Sequence, residues 1–115
     1  MVWWKAKRIQ LLPEQLVVTG ERHHADEIRA VLSEAGSGHL QFRCTAQLRP
    51  EPQNASDPHA VAVIVGGRRV GYIAKAHSKP VAEALSGRTT EAKCVINWNG
   101  EIDNGIYRVK LFASL

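Results

Sequence analysis

The 115-residue sequence predicts an α+β domain that is mainly β: a small curled sheet or open barrel of five or six short strands carrying two short helices. Three observations carry this expectation. From His39 to Arg49, Leu40, Phe42, Cys44, Ala46 and Leu48 alternate with Gln41, Arg43, Thr45, Gln47 and Arg49, the period of a half-buried strand. The other apolar runs are short and separated by turn chemistry such as Gly66-Gly67. Only two segments repeat their apolar residues at helical spacing.

The elements follow in order. Residues 1–15 read as an N-terminal extension able to add an edge strand, and residues 16–115 as the barrel. Leu16 to Thr19 is a short buried strand ending at Gly20-Glu21. His24 to Ala35 is a helix, with Ile28, Val31, Leu32 and Ala35 on one stripe, acids in its first turn and Gly36 behind it. Pro50-Glu51-Pro52 ends the alternating strand. Ala60 to Val65 is nearly all apolar, as suits a strand buried on both faces or one at a barrel corner. Arg68 to Ile73 returns antiparallel after the two glycines. Ser78 to Gly87 is a short helix, with Ser78 as its cap, Pro80 in its first turn and Gly87 as its stop. Thr90 to Trp98 and Ile106 to Phe112 complete the sheet.

Composition bounds the function. Apolar residues make up 44% and charged residues 23%, the balance of an ordinary folded domain. No apolar run approaches the roughly 18 residues of a membrane span. The N-terminal positive charges follow the apolar residues, the reverse of a secretory signal, so the expected location is cytoplasmic with no membrane partner. Cys44 and Cys94 both sit in alternating apolar runs and read as small core residues. Net charge is +4 with histidine neutral, which favours a polyanionic partner only where the cations are grouped.

No catalytic constellation is present, no phosphate loop opens a helix, and no cofactor is expected. His23, His24, His39, His59 and His77 lack ligand-pair spacing with one another or with the cysteines, so no metal site is expected. The most informative stretch is the polar, proline-fixed loop between two apolar strands, Pro50 to His59. It holds Asn54 and Asp57, which read either as turn formers or as hydrogen-bonding groups presented to a ligand. An acid among cations repels phosphate, and would suit a chain end where a hydroxyl replaces it. Tyr72 and Trp98, at strand ends, are candidates either to lid the core or to stack on unpaired bases. Arg43, Arg49 and Arg69 are candidates for phosphates.

Together these segments resemble a HIRAN domain. The resemblance lies in Val17-Val18-Thr19-Gly20-Glu21, in Leu48-x-Pro50-Glu51-Pro52-x-Asn54-x-x-Asp57-Pro58-x-Ala60-Val61-Ala62-Val63, in Arg69-Val70-Gly71-Tyr72-Ile73 and in the helix holding Val81-Ala82 and Leu85. It spans residues 16 to 113, the central segment is the specific one, and it implies a small open β-barrel related to the OB and SH3-like barrels. HIRAN domains occur fused to helicase-like ATPases of DNA repair and as small isolated proteins, and the best understood member binds single-stranded DNA at its 3′-hydroxyl end. The resemblance implies that Asp57 receives that hydroxyl, with Asn54 beside it and Lys75 and Tyr72 in contact with DNA. Trp98 corresponds loosely to a base-stacking aromatic. Two departures stand out: His23-His24 replaces a pair of tyrosines, and Ser56 replaces an aromatic before the loop acid.

The expected function is therefore a non-catalytic module for single-stranded DNA with preference for a free 3′-hydroxyl end, serving repair or processing, with helicase or repair proteins as further partners. The alternatives are a protein- or peptide-interaction module, using the Trp3-Trp4 edge, and, further off, a metal-dependent hydrolase.

Overall fold

The computed structural model describes residues 15–34, 41–98 and 107–112. Trp3-Trp4, the rest of the N-terminal extension to residue 14, and the ends assigned to the first helix and the long strand (Ala35, His39 and Leu40) lie outside these residues.

Six antiparallel strands form the domain: β1 (Gln15–Thr19), β2 (Gln41–Pro50), β3 (Val61–Val65), β4 (Arg68–Ile73), β5 (Thr90–Trp98) and β6 (Tyr107–Phe112). The small, mainly β barrel expected from the sequence is what forms, and it is closed, in the order β1-β4-β3-β2-β5-β6. Closure depends on β1, which changes partner along its length. Gln15, Leu16 and Val17 pair with Phe112, Leu111 and Lys110 of β6, whereas Val18 and Thr19 pair with Ile73 and Tyr72 of β4. A closed sheet leaves no unpaired edge.

The alternation of the sequence maps onto inside and outside. Ala46 and Leu48 on β2, Ala92, Cys94 and Ile96 on β5, and Val109 and Leu111 on β6 are buried in one core. Strand β3 is buried at all five positions. Val61, Val63 and Val65 join the core, while Ala62 is flanked in register by Arg49 and Tyr72, and Ile64 by Gln47 and Arg69. Cys94 is buried and Cys44 half-buried; they are free thiols directly opposite one another. Gly66 and Gly67 both take positive φ (58° and 78°), the two-residue turn that suits the twist of a hairpin.

Two helices close onto this core. A 3-10 turn (Glu21–His24) leads into α1 (Ala25–Glu34), whose Ile28 and Val31 are buried. The second helix, α2 (Lys75–Leu85), begins three residues before the predicted start at Ser78. Ser78 is not its cap. Its hydroxyl is buried and donates back to the Lys75 carbonyl at 3.2 Å, and Pro80 lies inside the helix instead of at its first position. The start is fixed from outside, because the Ala74 N–H donates to the Val17 carbonyl at 2.8 Å and holds the end of β4 against β1. The helix ends as expected, with Ser86 and Gly87 both left-handed.

Where β1 leaves β6 for β4, the Val109 N–H has lost its strand partner. The Glu21 carboxylate replaces it, accepting from Val109 N at 3.1 Å while 9% exposed. Removing that acceptor leaves a buried donor unsatisfied, at a cost of about 1–3 kcal/mol. Glu21→Ala is therefore expected to lower the thermal midpoint by several degrees, and Glu21→Gln, which keeps an acceptor oxygen, to lower it by clearly less. Equal losses in a calorimetric comparison of the two would contradict this role.

Candidate nucleic-acid interface

The loop from Glu51 to Ala60 is stapled at its base and in its interior. Glu51 N–H donates to the Ala60 carbonyl (2.8 Å), which continues the β2–β3 ladder past Pro50. Asn54 is the interior staple. Its N–H donates to the Glu51 carbonyl (3.0 Å), and its Oδ1 accepts from the N–H groups of Ser56 (2.9 Å) and Asp57 (3.1 Å). Asp57 repeats the device, with Oδ1 accepting from His59 N–H at 2.8 Å. Both residues are thus turn formers, as one reading of the sequence had it. That use leaves Asp57 Oδ2, among the described residues, with the Ser78 hydroxyl alone, at a long 3.4 Å.

Glu51 ties this loop to the barrel wall. Its Oε1 accepts from Asn54 Nδ2 and from the Tyr72 hydroxyl, both at 3.0 Å, and its Oε2 pairs with Arg69 at 2.7 Å. Burial by itself pushes the Glu51 carboxyl up. The hydrogen bonds of Asn54 and Tyr72 and the Arg69 charge outweigh it and hold the group below the usual carboxylate range. For Tyr72, burial first, then the bond and charge of Glu51, push its phenol up against the opposing charge of Arg69. Arg69 also lies over the Tyr72 ring, 5.7 Å from its centre, within cation–π range.

Arg69 and Tyr72 share the outer face although they are three residues apart. A bulge in β4 opposite Val63 and Ile64 makes this possible by inserting Val70, which turns into the core. Beside it, Gly71 passes β1 so closely that an added Cβ would lie 2.8 Å from the Thr19 carbonyl oxygen and from Val18 Cγ1. Glycine is required there by the backbone approach.

Between loop and wall lies an open cavity of about 360 Å³, lined by Thr19, Asn54, Ser56, Asp57, Ala60, Tyr72, Ile73 and Lys75. Four residues singled out in the sequence, Asn54, Asp57, Tyr72 and Lys75, therefore converge. His24 stands at its margin, its ring 6.1 Å from that of Tyr72 and its Nδ1 2.8 Å from the Gly20 carbonyl. Arg49 shares the outer row of Tyr72, two strands away through Ala62. Its guanidinium donates to Gln47 Oε1, at 3.4 Å. His23 is exposed on the neighbouring 3-10 turn. Arg43 is not part of this group: it lies six residues up β2 from Arg49, about 20 Å of strand, and lines a different cavity. Trp98 ends β5, three strands round the barrel from β4, and its side chain lies outside the described residues. Arg68 is committed to Glu34 at 3.0 Å.

The HIRAN domain family model matches residues 18–109, most of the chain. The chain belongs to the HIRAN family. HIRAN domains are nucleic-acid-binding modules of DNA repair and remodelling, generally without catalysis of their own. No curated protein and no solved structure matches the chain. Among the described residues no helix is long and apolar enough to cross a membrane, and no three His, Cys, Asp or Glu side chains group as metal ligands. Within this HIRAN domain, Glu51 is the organising residue that the sequence reading left without a role. Its position between two prolines was the available signal, since such a segment presents its side chain in a fixed direction.

Because the folded-state pKa of Glu51 is depressed, its contribution to stability is complete above the unfolded value near 4.5. It is lost as pH falls through the lower, folded value. Glu51→Gln keeps the shape but removes the charge. The variant is expected to be less stable than the wild type by about 1–3 kcal/mol at neutral pH. That gap should stay constant down to about pH 5 and narrow below it. Urea unfolding at pH 7, 5 and 3 measures this, and a gap independent of pH would contradict the assignment.

Proposed function

We propose that this protein binds single-stranded DNA and takes the free 3′-hydroxyl end of the strand into the cavity between the 51–60 loop and β4, in DNA repair or processing. The observation that carries the reading is the convergence of Asn54, Asp57, Tyr72 and Lys75 on one open cavity whose acid has spare acceptor capacity. A carboxylate accepts a hydrogen bond from a hydroxyl and repels a phosphate. An acid at the end of the cavity therefore suits a strand that terminates there better than one that continues.

The remaining roles follow from placement. Lys75, exposed at the first position of α2, is placed to meet the last phosphate. Tyr72 is anchored through its hydroxyl, so its ring offers a wall of fixed orientation for the terminal sugar or base. His24 and His23 stand where the family's end-binding member has tyrosines, and supply flatter and weaker stacking. Arg49 is paired with no acid among the described residues and extends the path for the strand away from the cavity. Arg69, neutralised by Glu51, acts by holding Tyr72 in place. We place the protein in the cytoplasm, working beside helicase or repair proteins, and assign it no reaction.

Anisotropy titrations with labelled oligonucleotides ending in 3′-hydroxyl or 3′-phosphate test this reading. The wild type is expected to favour the hydroxyl end by about tenfold, equivalent to roughly 1.4 kcal/mol. Asp57→Asn keeps the acceptor that holds His59 N–H but removes the charge, and should bring the two ends within about twofold. Lys75→Ala should weaken both equally and reduce the salt dependence by about one phosphate. Equal affinity of the wild type for both ends would remove the end-recognition claim, and absence of binding at low salt would remove the nucleic-acid claim.

A further inference from the structure

The outer face of β2, β5 and β6 carries a second group of cations on the side of the barrel opposite β4. In the closed order β1-β4-β3-β2-β5-β6, two strands separate β4 from β5 in either direction, so the two lie half-way round the barrel from each other. The register sets the side chains in rows: Arg43 beside Val95 beside Lys110, then Lys93 beside Phe112, and Asn97 beside Arg108. Arg43, Lys93, Arg108 and Lys110 are all exposed, whereas Val95 and Phe112 between them are half-covered. None of the four cations pairs with an acid among the described residues. The one acid sharing their face on these strands is Glu91, at its margin two residues from Lys93.

This arrangement differs from the rest of the surface. On the cavity side Arg68 is neutralised by Glu34 and Arg69 by Glu51, which leaves Arg49 without a paired acid among the described residues. On the β5 side four charges lie within three adjacent strands, about 10 Å across, with no acid paired to them among the described residues. A cavity of about 410 Å³ lies among Arg43, Lys93, Lys110 and Phe112. Like charges held this close cost self-repulsion, which a polyanion relieves on binding. The Gln41 and Asn97 amides that also line this cavity are bonded to each other at 3.2 Å, so recognition is by phosphate charge, with Phe112 and Val95 giving apolar contact to sugars.

We infer that this face is a second nucleic-acid site, which binds the phosphate backbone of a segment other than the one ending in the loop cavity. The inference rests on the nucleic-acid reading proposed above but not on end recognition. A strand end seated at β4 cannot reach β5 without passing half-way round the barrel. The two faces together therefore let one domain hold a strand end on one side and a duplex or a distant stretch of strand on the other.

The test uses DNA with no ends. A closed dumbbell duplex cannot occupy an end-binding cavity. The wild type is expected to bind it with a log–log salt slope of roughly −3 to −4, close to 0.9 per phosphate met. Arg43→Glu/Lys93→Glu/Lys110→Glu should weaken that binding by more than about tenfold and flatten the slope. The same variant should keep its affinity for a 3′-hydroxyl oligonucleotide of about four nucleotides, near the smallest site of an OB fold, within about twofold. Arg43→Gln/Lys93→Gln/Lys110→Gln should fall between, and circular dichroism checks that each variant is folded. Failure of the wild type to bind the dumbbell, or unchanged binding by the charge-reversed variant, would overturn the inference. Tighter binding to anionic phospholipid vesicles than to the dumbbell would overturn it too, assigning the face to a membrane surface. If end preference is absent while dumbbell binding still requires the three cations, the end-recognition reading fails and this one stands.

Discussion

The carboxylate of Glu51 is the constraint on which the candidate site depends. It is 18% exposed and bonded to a loop amide, a strand phenol and a strand guanidinium together. Each partner is mobile alone: Asn54 on a surface loop, Tyr72 on an outer sheet face, Arg69 on a long flexible chain. Joined to one buried anion, they share a single geometry, and the ordering entropy is offset by charge-assisted bonds in a partly dry setting. The cavity is the space left between the loop and the wall that this anion holds together.

The barrel prepares this arrangement in two ways. The change of partner along β1 brings Thr19 beside Tyr72 and the Ala74 N–H onto Val17, which sets the place where α2 starts and so the position of Lys75. The bulge at Val70 puts Arg69 and Tyr72 on one face, and Gly71 lets β4 lie against β1 at a distance no side chain permits. Both devices are backbone features. They explain why a site made of common residue types depends on a glycine and on one extra residue in a strand.

The sequence made the strands legible because the core is one-sided: Ala92, Cys94 and Ile96 are buried while their neighbours are not, and periodicity reports that directly. Gly66-Gly67 announced its turn for the same local reason. The start of α2 was not legible, because Ser78 and Pro80 imitate a helix beginning. Ser78 instead turns its hydroxyl inward to Lys75 and Asp57, and a backbone bond from a distant strand decides the start. Asn54, Asp57, Tyr72 and Lys75 were legible as a group through family resemblance. Glu51 was not, since its role appears only when β4 is folded back beside the loop. That Arg43 faces away from Arg49 and Arg69 was not legible, because sequence spacing carries no information about which side of a barrel a residue faces. Its neighbours Lys93 and Lys110 come from strands 50 and 67 residues away in the chain.

The central claim is that a pinned loop and a barrel wall form a receptor for a strand end. It is tested most directly by following backbone amide resonances during titration with a short 3′-hydroxyl oligonucleotide. The account predicts saturable shifts at Thr19, Ser56, Asp57, His59 and Lys75, with the side-chain amide of Asn54 moving in step. Shifts confined to β5 and β6, or spread evenly over the surface with none at the 51–60 loop, would contradict it.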